Sequence, residues 1–205
     1  MSNCEIVSLI SVFKDIVLSL AGITTIFIAI YGLNKWRDEH QGKARFDAAK
    51  LLLSSVYSVR NNFEIVRSGW LDASEFPADY AAKHPTEQTL QDKADARWYV
   101  YKNRLEPLTM AMNELDTALI EGEVLWGADV KEQGRKINGS FNRLVRSIKG
   151  LIEEEYRGVD DPRDEIIKRQ RQDVAASRDS EDELSRQIKL SITYFESLLR
   201  PYTGD

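Results

Sequence analysis

The feature that most constrains how this chain can fold is an uncharged run of eighteen residues, Ile16 to Leu33, near its amino terminus. An α-helix rises about 1.5 Å per residue, so a helix of this length covers nearly the hydrocarbon thickness of a bilayer. We therefore predict a single transmembrane helix over residues 16–35, which makes the lipid bilayer the first expected partner of the chain.

Two alternatives account for such a run less well. A core helix of a soluble protein should carry polar side chains on its outer side, and only Ser19, Thr24 and Thr25 meet that need. A secretory signal peptide has a shorter apolar region followed by small residues at a cleavage site, whereas this run is followed by bulky and basic residues. The pattern favours a membrane span over both.

The flanks of the run predict its orientation. Tyr31, Lys35, Trp36 and Arg37 are expected to anchor one end at the interface, where amphipathic rings and basic side chains are favoured. Basic residues are more frequent after the run than before it, where Lys14 is the one basic side chain. By the positive-inside rule, we expect residues 1–15 to form a short tail outside the cytoplasm and residues 36–205 to lie inside.

Small residues recur on one face of the predicted span. Ala21, Thr25 and Ala29 are spaced by four, and Gly22 lies beside them. Lipid gives no hydrophobic drive between helices, so close approach at small residues is a main source of their association. We expect this face to support self-association, although small residues are also common in spans that do not associate.

The remainder of the chain is predicted to be all-α, an antiparallel bundle of about four main helices. Apolar residues recur at intervals of three and four, which is typical of packed helices, and strand-like alternation is missing. The first two expected seams are Ala49, Leu52, Val56, Val59, Phe63, Val66 and Trp70, then Trp98, Tyr101, Leu105, Leu108, Met112, Leu115 and Leu119. The last two are Ile137, Phe141, Leu144, Ile148 and Leu151, then Leu184, Ile188, Phe195 and Leu198.

Glycine, proline and capping residues predict where these helices begin and end. Pro107 is expected to kink the second helix, and Pro201 to stop the last. The remaining predicted boundaries are a connection through Pro77 and Pro85, a break at Gly122 and Gly127, a helix end near Gly158, a start at Asp161 and Pro162, and a capping box of Ser180 with Glu183.

The composition argues against disulfides, metal sites and general binding to nucleic acid. One cysteine, Cys4, allows neither an intramolecular disulfide nor a thiolate metal cage, and neither His40 nor His84 belongs to a Glu-x-x-His pair. Consecutive acidic residues, such as Glu153 to Glu155, point in different directions around a helix, so their carboxylates converge poorly on a metal ion. The net charge of −5 argues against general binding to nucleic acid. We expect no metal and no cofactor.

One stretch nevertheless has a nuclease-like feature. In "SVRNNFEIVR", Arg60 and Asn61 resemble the start of the R-x(4–6)-H signature of HEPN domains, helical bundles that are often ribonucleases. The resemblance implies an RNA site at Arg60, Asn61 and Arg67, although none of the three positions expected for the histidine, residues 65 to 67, holds one. The alternative interpretation is that Arg60 and Arg67 are helix-surface or ion-paired residues.

More of the chain resembles small bacterial single-pass membrane proteins with a cytoplasmic helical bundle. The features that carry this resemblance are the N-terminal span, the following "KWRDEHQGKARFDAAKLLLSSVY", "EVLWG" and the terminal "LLRP". Some proteins of this build act on membranes as oligomers in anti-phage defence. We expect a non-enzymatic protein of the cytoplasmic membrane that acts by homo-oligomerisation or by recruiting a cytoplasmic protein. The alternatives are a membrane-tethered HEPN-like ribonuclease or degenerate RNA-binding bundle, and a ligand sensor.

Overall fold

The computed structural model of the chain describes residues 3–158, 164–175 and 182–204, with the backbone alone for residues 3–13 and 15–17. Within these ranges the regular structure is entirely helical, which confirms the predicted all-α class. The six α-helices are α1 (Asn3–Val66), α2 (Ala78–Ala81), α3 (Leu90–Trp126), α4 (Ala128–Arg157), α5 (Glu165–Val174) and α6 (Glu183–Thr203). The chain divides into two compact units, Met1–Phe46 and Asp47–Asp205.

The first unit consists of the amino-terminal part of α1. This helix is long and apolar enough to span a membrane, and none of the side chains in its most apolar window is buried. The Cys4 side chain lies outside the described residues, whereas the Lys14 side chain is exposed.

The second unit has one core, to which α1, α3, α4, α5 and α6 contribute. The predicted seams account for most of it, because side chains three and four residues apart share one face of a helix. Its most completely buried large side chains are Leu52, Val56, Val59, Val66, Leu108, Leu115, Ile137, Leu144, Ile148, Leu184, Phe195 and Leu199. Trp98, Phe141, Leu151 and Leu198 lie at its margin, half-buried.

Local chemistry sets several helix ends. Thr89 begins α3: its Oγ1 accepts a hydrogen bond from the Asp92 amide at 3.1 Å, and the Asp92 carboxylate accepts one from the Thr89 amide at 2.9 Å. Gly127, with φ of 90°, is the single residue between α3 and α4, and Gly158 ends α4 in the left-handed region. The predicted ends near Gly127 and Gly158 are confirmed.

The connection between α1 and α3 is tied down by Arg104 of α3. Its guanidinium donates to the backbone carbonyls of Ser68 and Trp70 at 3.0 and 2.7 Å, and to both carboxylate oxygens of Glu75 at 2.6 Å. These hydrogen bonds and the charge of Arg104 lower the pKa of Glu75, despite the opposing effect of burial. Arg104 therefore fixes the first part of the predicted connection, up to Glu75, and the part through Pro77 and Pro85 contains the short helix α2.

Three predictions about the helices are wrong. Trp70 is not part of the first seam, because α1 ends at Val66 and the indole is 77% exposed. Gly122 does not break a helix; it lies within α3, where an added Cβ would come 2.9 Å from Leu52 Cδ2, so it allows close packing. Pro201 does not stop α6, which continues to Thr203 and ends at Gly204, because proline removes one donor without preventing a final turn.

Two further expectations concern proline and helix capping. The helix α3 runs unbroken through Pro107. The predicted starts at Asp161 and Ser180 lie outside the described residues; the described caps are Asp164 for α5 and Asp182 for α6. Both aspartate side chains accept a hydrogen bond from a backbone amide of the first turn, which is the standard N-cap interaction.

Candidate functional site

The residues predicted to mediate helix association are all exposed on α1. Ala21, Gly22, Thr25 and Ala29 share this exposure, and nothing lies within 4 Å of the position that a Cβ would take at Gly22. Thr25 Oγ1 donates to the carbonyl of Ala21 at 2.8 Å, which satisfies its hydroxyl within the helix. The side chains of this face are therefore small, and its hydroxyl group is hydrogen-bonded without water. Both properties favour contact between helices in lipid.

The predicted interface anchors follow this face. Tyr31 is 72% exposed and Trp36 is 58% exposed, and Lys35 and Arg37 are exposed beside them. The Trp36 ring contacts the imidazole of His40 edge-on, with 4.3 Å between ring centroids. This arrangement leaves the anchoring side chains accessible to a headgroup layer.

The three residues of the alternative RNA site lie near one another, and Arg60 and Arg67 line one cavity of about 410 Å³. The Arg60 guanidinium lies over the Tyr57 ring, 4.7 Å from its centroid, and donates to Asn61 Oδ1 at 3.3 Å. Arg67 is only 3% exposed, and its guanidinium is held in a buried polar environment by residues of other helices. It cannot contact an RNA phosphate without leaving that environment, so at most Arg60 and Asn61 remain accessible on this helix.

Arg67 lies in a buried polar cluster at the junction of four helices, which we call the Arg67–Asp173 cluster. Its members are Arg67, Arg143, Ser147, Asp173, Asp182 and Ser185. The Arg67 guanidinium donates to the carbonyls of Asp173 and Gln172 at 2.7 and 3.0 Å. It also donates to Ser185 Oγ at 2.6 Å and to Asp182 Oδ2 at 2.8 Å.

A second arginine completes the cluster from α4. Arg143 binds the buried Asp173 carboxylate in two-pronged fashion, from Nε to Oδ2 at 2.9 Å and from the second terminal nitrogen to Oδ1 at 2.7 Å. Ser147, one turn later on α4, donates to the same carboxylate at 2.8 Å. The carbonyl and carboxylate of Asp173 are thus held by two different arginines.

The pKa values follow from these contacts. Burial acts to raise the pKa of Asp182, but hydrogen bonds from Ser185 and the hydrogen bond and charge of Arg67 outweigh it, so the pKa is lowered. The hydrogen bonds to Asp173 raise the pKa of Arg143 in spite of its burial. Because the charged groups of the cluster are paired, it is suited to holding helices together and not to proton transfer.

A half-open cavity of about 910 Å³ adjoins the cluster between α4 and α5. Its basic lining residues are Arg143, Arg146, Lys168 and Arg169, and its acidic ones are Glu165, Asp173, Asp182 and Glu183. Among the described residues, no group of three or more histidine, cysteine, aspartate or glutamate side chains is placed to hold a metal ion.

This polar cluster could not be predicted from the sequence, because its acidic residues lie within or beside polar stretches. Asp173 belongs to the strongly charged stretch after Pro162, which is short of apolar residues and is typical of a solvated helix or a connection. The available signal was periodicity: Ile167 and Val174 are seven residues apart and both are buried, which makes α5 a packed helix with Asp173 next to its buried side.

Comparisons of the chain with protein-family models, with curated proteins and with solved structures find no match.

Proposed function

We propose that this chain is a non-enzymatic protein, anchored in a membrane by α1, that acts through self-association or by recruiting a cytoplasmic protein. The observation that carries the proposal is the apolar surface of α1 from Leu18 to Trp36, where every large apolar side chain is more than half exposed. Each square ångström of apolar surface left in water costs about 25 cal/mol, so such a helix needs lipid or another apolar surface around it.

We further propose that α1 lies in the cytoplasmic membrane with its amino terminus outside. Support comes from the basic side chains that follow the apolar run, including Lys35 and Arg37, since this imbalance retains the following segment in the cytoplasm. A fusion of a periplasmic reporter enzyme to the carboxyl terminus should be inactive, and a fluorescent protein fused there should fold. The opposite pair of results would contradict this orientation.

An antiparallel arrangement of the bundle is part of the proposal. Lys131, early in α4, pairs with Glu123, late in α3, at 2.8 Å. Glu155, late in α4, pairs with Arg97, early in α3, at 3.2 Å. Helices that run in opposite directions produce contacts in this order, and short connections favour it.

Self-association is the form of the function that the membrane helix supports best. The Ala21, Thr25 and Ala29 positions present little side-chain bulk, so a second copy of α1 could approach closely there. The Thr25 hydroxyl is already bonded to its own helix and does not need water.

The decisive experiment measures the mass of the full-length protein in mild detergent by light scattering. We expect a defined oligomer, and we expect the double variant Ala21→Leu, Ala29→Leu to shift it toward the monomer. Ile23→Leu with Ile30→Leu is a control for substitution within the span, because these residues lie on the other side of the helix and the change keeps side-chain volume. A monomeric wild-type chain, with no cross-linked dimer in the membrane, would contradict self-association.

A further inference from the structure

The lining of the cavity beside the Arg67–Asp173 cluster has four basic and four acidic side chains, but fewer of the acidic ones are available to repel an anion. Asp173 and Asp182 also line it, but both are occupied by the hydrogen bonds of Arg143 and Arg67. The other charged lining residues are three cations, Arg146, Lys168 and Arg169, and two glutamates, Glu165 and Glu183.

The ion pairs that Lys168 and Arg169 form with these glutamates are long. Lys168 Nζ is 3.9 Å from Glu165, and Arg169 is 3.7 Å from Glu183, both longer than a hydrogen bond. Arg146 donates to the carbonyl of Asn142 on its own helix at 3.3 Å. Exposed pairs of this kind contribute little, so an anion with better geometry can displace them.

One atom shows where an anionic oxygen fits. Glu183 Oε2 lies 3.3 Å from a terminal nitrogen of Arg143 and 3.7 Å from one of Arg169, so the two guanidinium groups share a single oxygen. The Glu183 side chain is 48% exposed and is held only by long contacts, including one from Gln187 Nε2 to its other oxygen at 3.3 Å, whereas Arg143 is held by the buried Asp173. Two guanidinium groups around one oxygen position, one held by Asp173 and one exposed, can both donate hydrogen bonds to a phosphate oxygen.

We propose that this cavity binds a phosphate ester or diphosphate, which displaces the Glu183 carboxylate from between Arg143 and Arg169. Arg146 and Lys168, which also line the cavity, add positive charge to the site. Its volume falls within the range of about 300–1,000 Å³ that is usual for small-molecule sites. Guanidinium groups bind phosphate in two-pronged fashion and lysine adds a point charge. This binding does not depend on whether the chain self-associates.

The test is a calorimetric titration of the full-length protein in mild detergent with inorganic pyrophosphate, at about 0.15 M salt to suppress non-specific attraction. We expect saturable binding that weakens roughly tenfold or more in the triple variant Arg146→Gln, Lys168→Gln, Arg169→Gln, because charge-assisted hydrogen bonds are lost. The control triple variant Lys149→Gln, Arg157→Gln, Arg186→Gln makes the same charge change at exposed positions outside the cavity lining and should bind normally.

A second variant separates this mechanism from general attraction. Glu183→Gln removes the competing carboxylate while keeping its shape, so pyrophosphate should bind more tightly by a factor of roughly two to ten. It also keeps the proposal testable if the triple variant fails to fold. Equal weakening in both triple variants, or an unchanged affinity in Glu183→Gln, would overturn the proposal.

The phosphate could come from a soluble compound or from a lipid headgroup. The same protein is therefore also inserted into nanodiscs of phosphatidylcholine with and without phosphatidate, and retention of labelled phosphatidate is measured after detergent extraction. Pyrophosphate binding supports a soluble ligand, and selective retention of phosphatidate that the first triple variant abolishes supports a lipid phosphate. Binding of neither probe contradicts the site.

Discussion

Arg67, the residue that follows α1, donates a 2.7 Å hydrogen bond from Nε to the backbone carbonyl of Asp173, 106 residues further along the chain. With this contact, the end of the first helix fixes the end of α5. Since Asp173 is also the partner of Arg143, the loss of one arginine changes the surroundings of the other.

Replacing Arg67 by methionine should destabilise the bundle by about 3–5 kcal/mol, because Asp182 would lose its charged partner and two carbonyls would lose the guanidinium donor in a buried site. Urea unfolding of the full-length protein in mild detergent, followed by far-ultraviolet circular dichroism, measures this. Arg60→Met is the control and should change the unfolding free energy by no more than about 0.5 kcal/mol. Similar effects of both variants would show that Arg67 is not a structural residue.

Asp182→Asn should lower the stability of the fold at neutral pH and make that stability depend less on pH in the acidic range. The folded-state pKa of Asp182 is lowered, so its contribution is complete above the pKa of about 3.9 of an unfolded aspartate and is lost as the pH falls through the lower folded value. Melting temperatures of both proteins between pH 7 and pH 3 should therefore converge at the acidic end. A constant difference over this range would contradict the ion pair with Arg67.

Two glycines of α4 should respond to alanine in opposite ways. At Gly134 an added Cβ would overlap Leu119 Cδ1 and lie 3.0 Å from Cδ2, so Gly134→Ala should cost about 1–3 kcal/mol through overpacking. At Gly139 nothing lies within 4 Å, so Gly139→Ala should stabilise the helix by about 0.5–1 kcal/mol. Chemical denaturation of the two variants in parallel measures the change in the free energy of unfolding. Changes of the same sign in both variants would contradict the close contact between α3 and α4.

A charge in the apolar part of α1 should impair its membrane insertion. Ile26→Lys should cost about 2.5–3.5 kcal/mol of insertion free energy and reduce the fraction of protein that resists alkaline carbonate extraction. Ile65→Lys makes the same change at an exposed position of α1 in the second unit and should leave that fraction unchanged. If Ile26→Lys also left it unchanged, α1 would not be the anchor.

The core could be predicted from the sequence where periodicity was strong, and the polar site could not. Val59 and Phe63 belong to an uninterrupted seam, and burial of one predicts burial of the other because they are one turn apart. Nothing near Asp173 in the sequence identifies Arg67 and Arg143 as its partners, because that pairing depends on how distant helices pack. Pro201 does not end α6 because it lies only two residues before the end of the helix, where a proline destabilises a helix less than in its middle.

Gly127 leaves α3 and α4 with no loop between them, and this has a consequence for the order in which the chain folds during synthesis. Contacts between neighbouring helices need little loop closure and form quickly. The α3–α4 pair can therefore assemble while α6 is still inside the ribosome. The apolar face that later receives Phe195 would stay uncovered in the meantime, and this is the stage at which a chaperone would be most useful to the nascent chain.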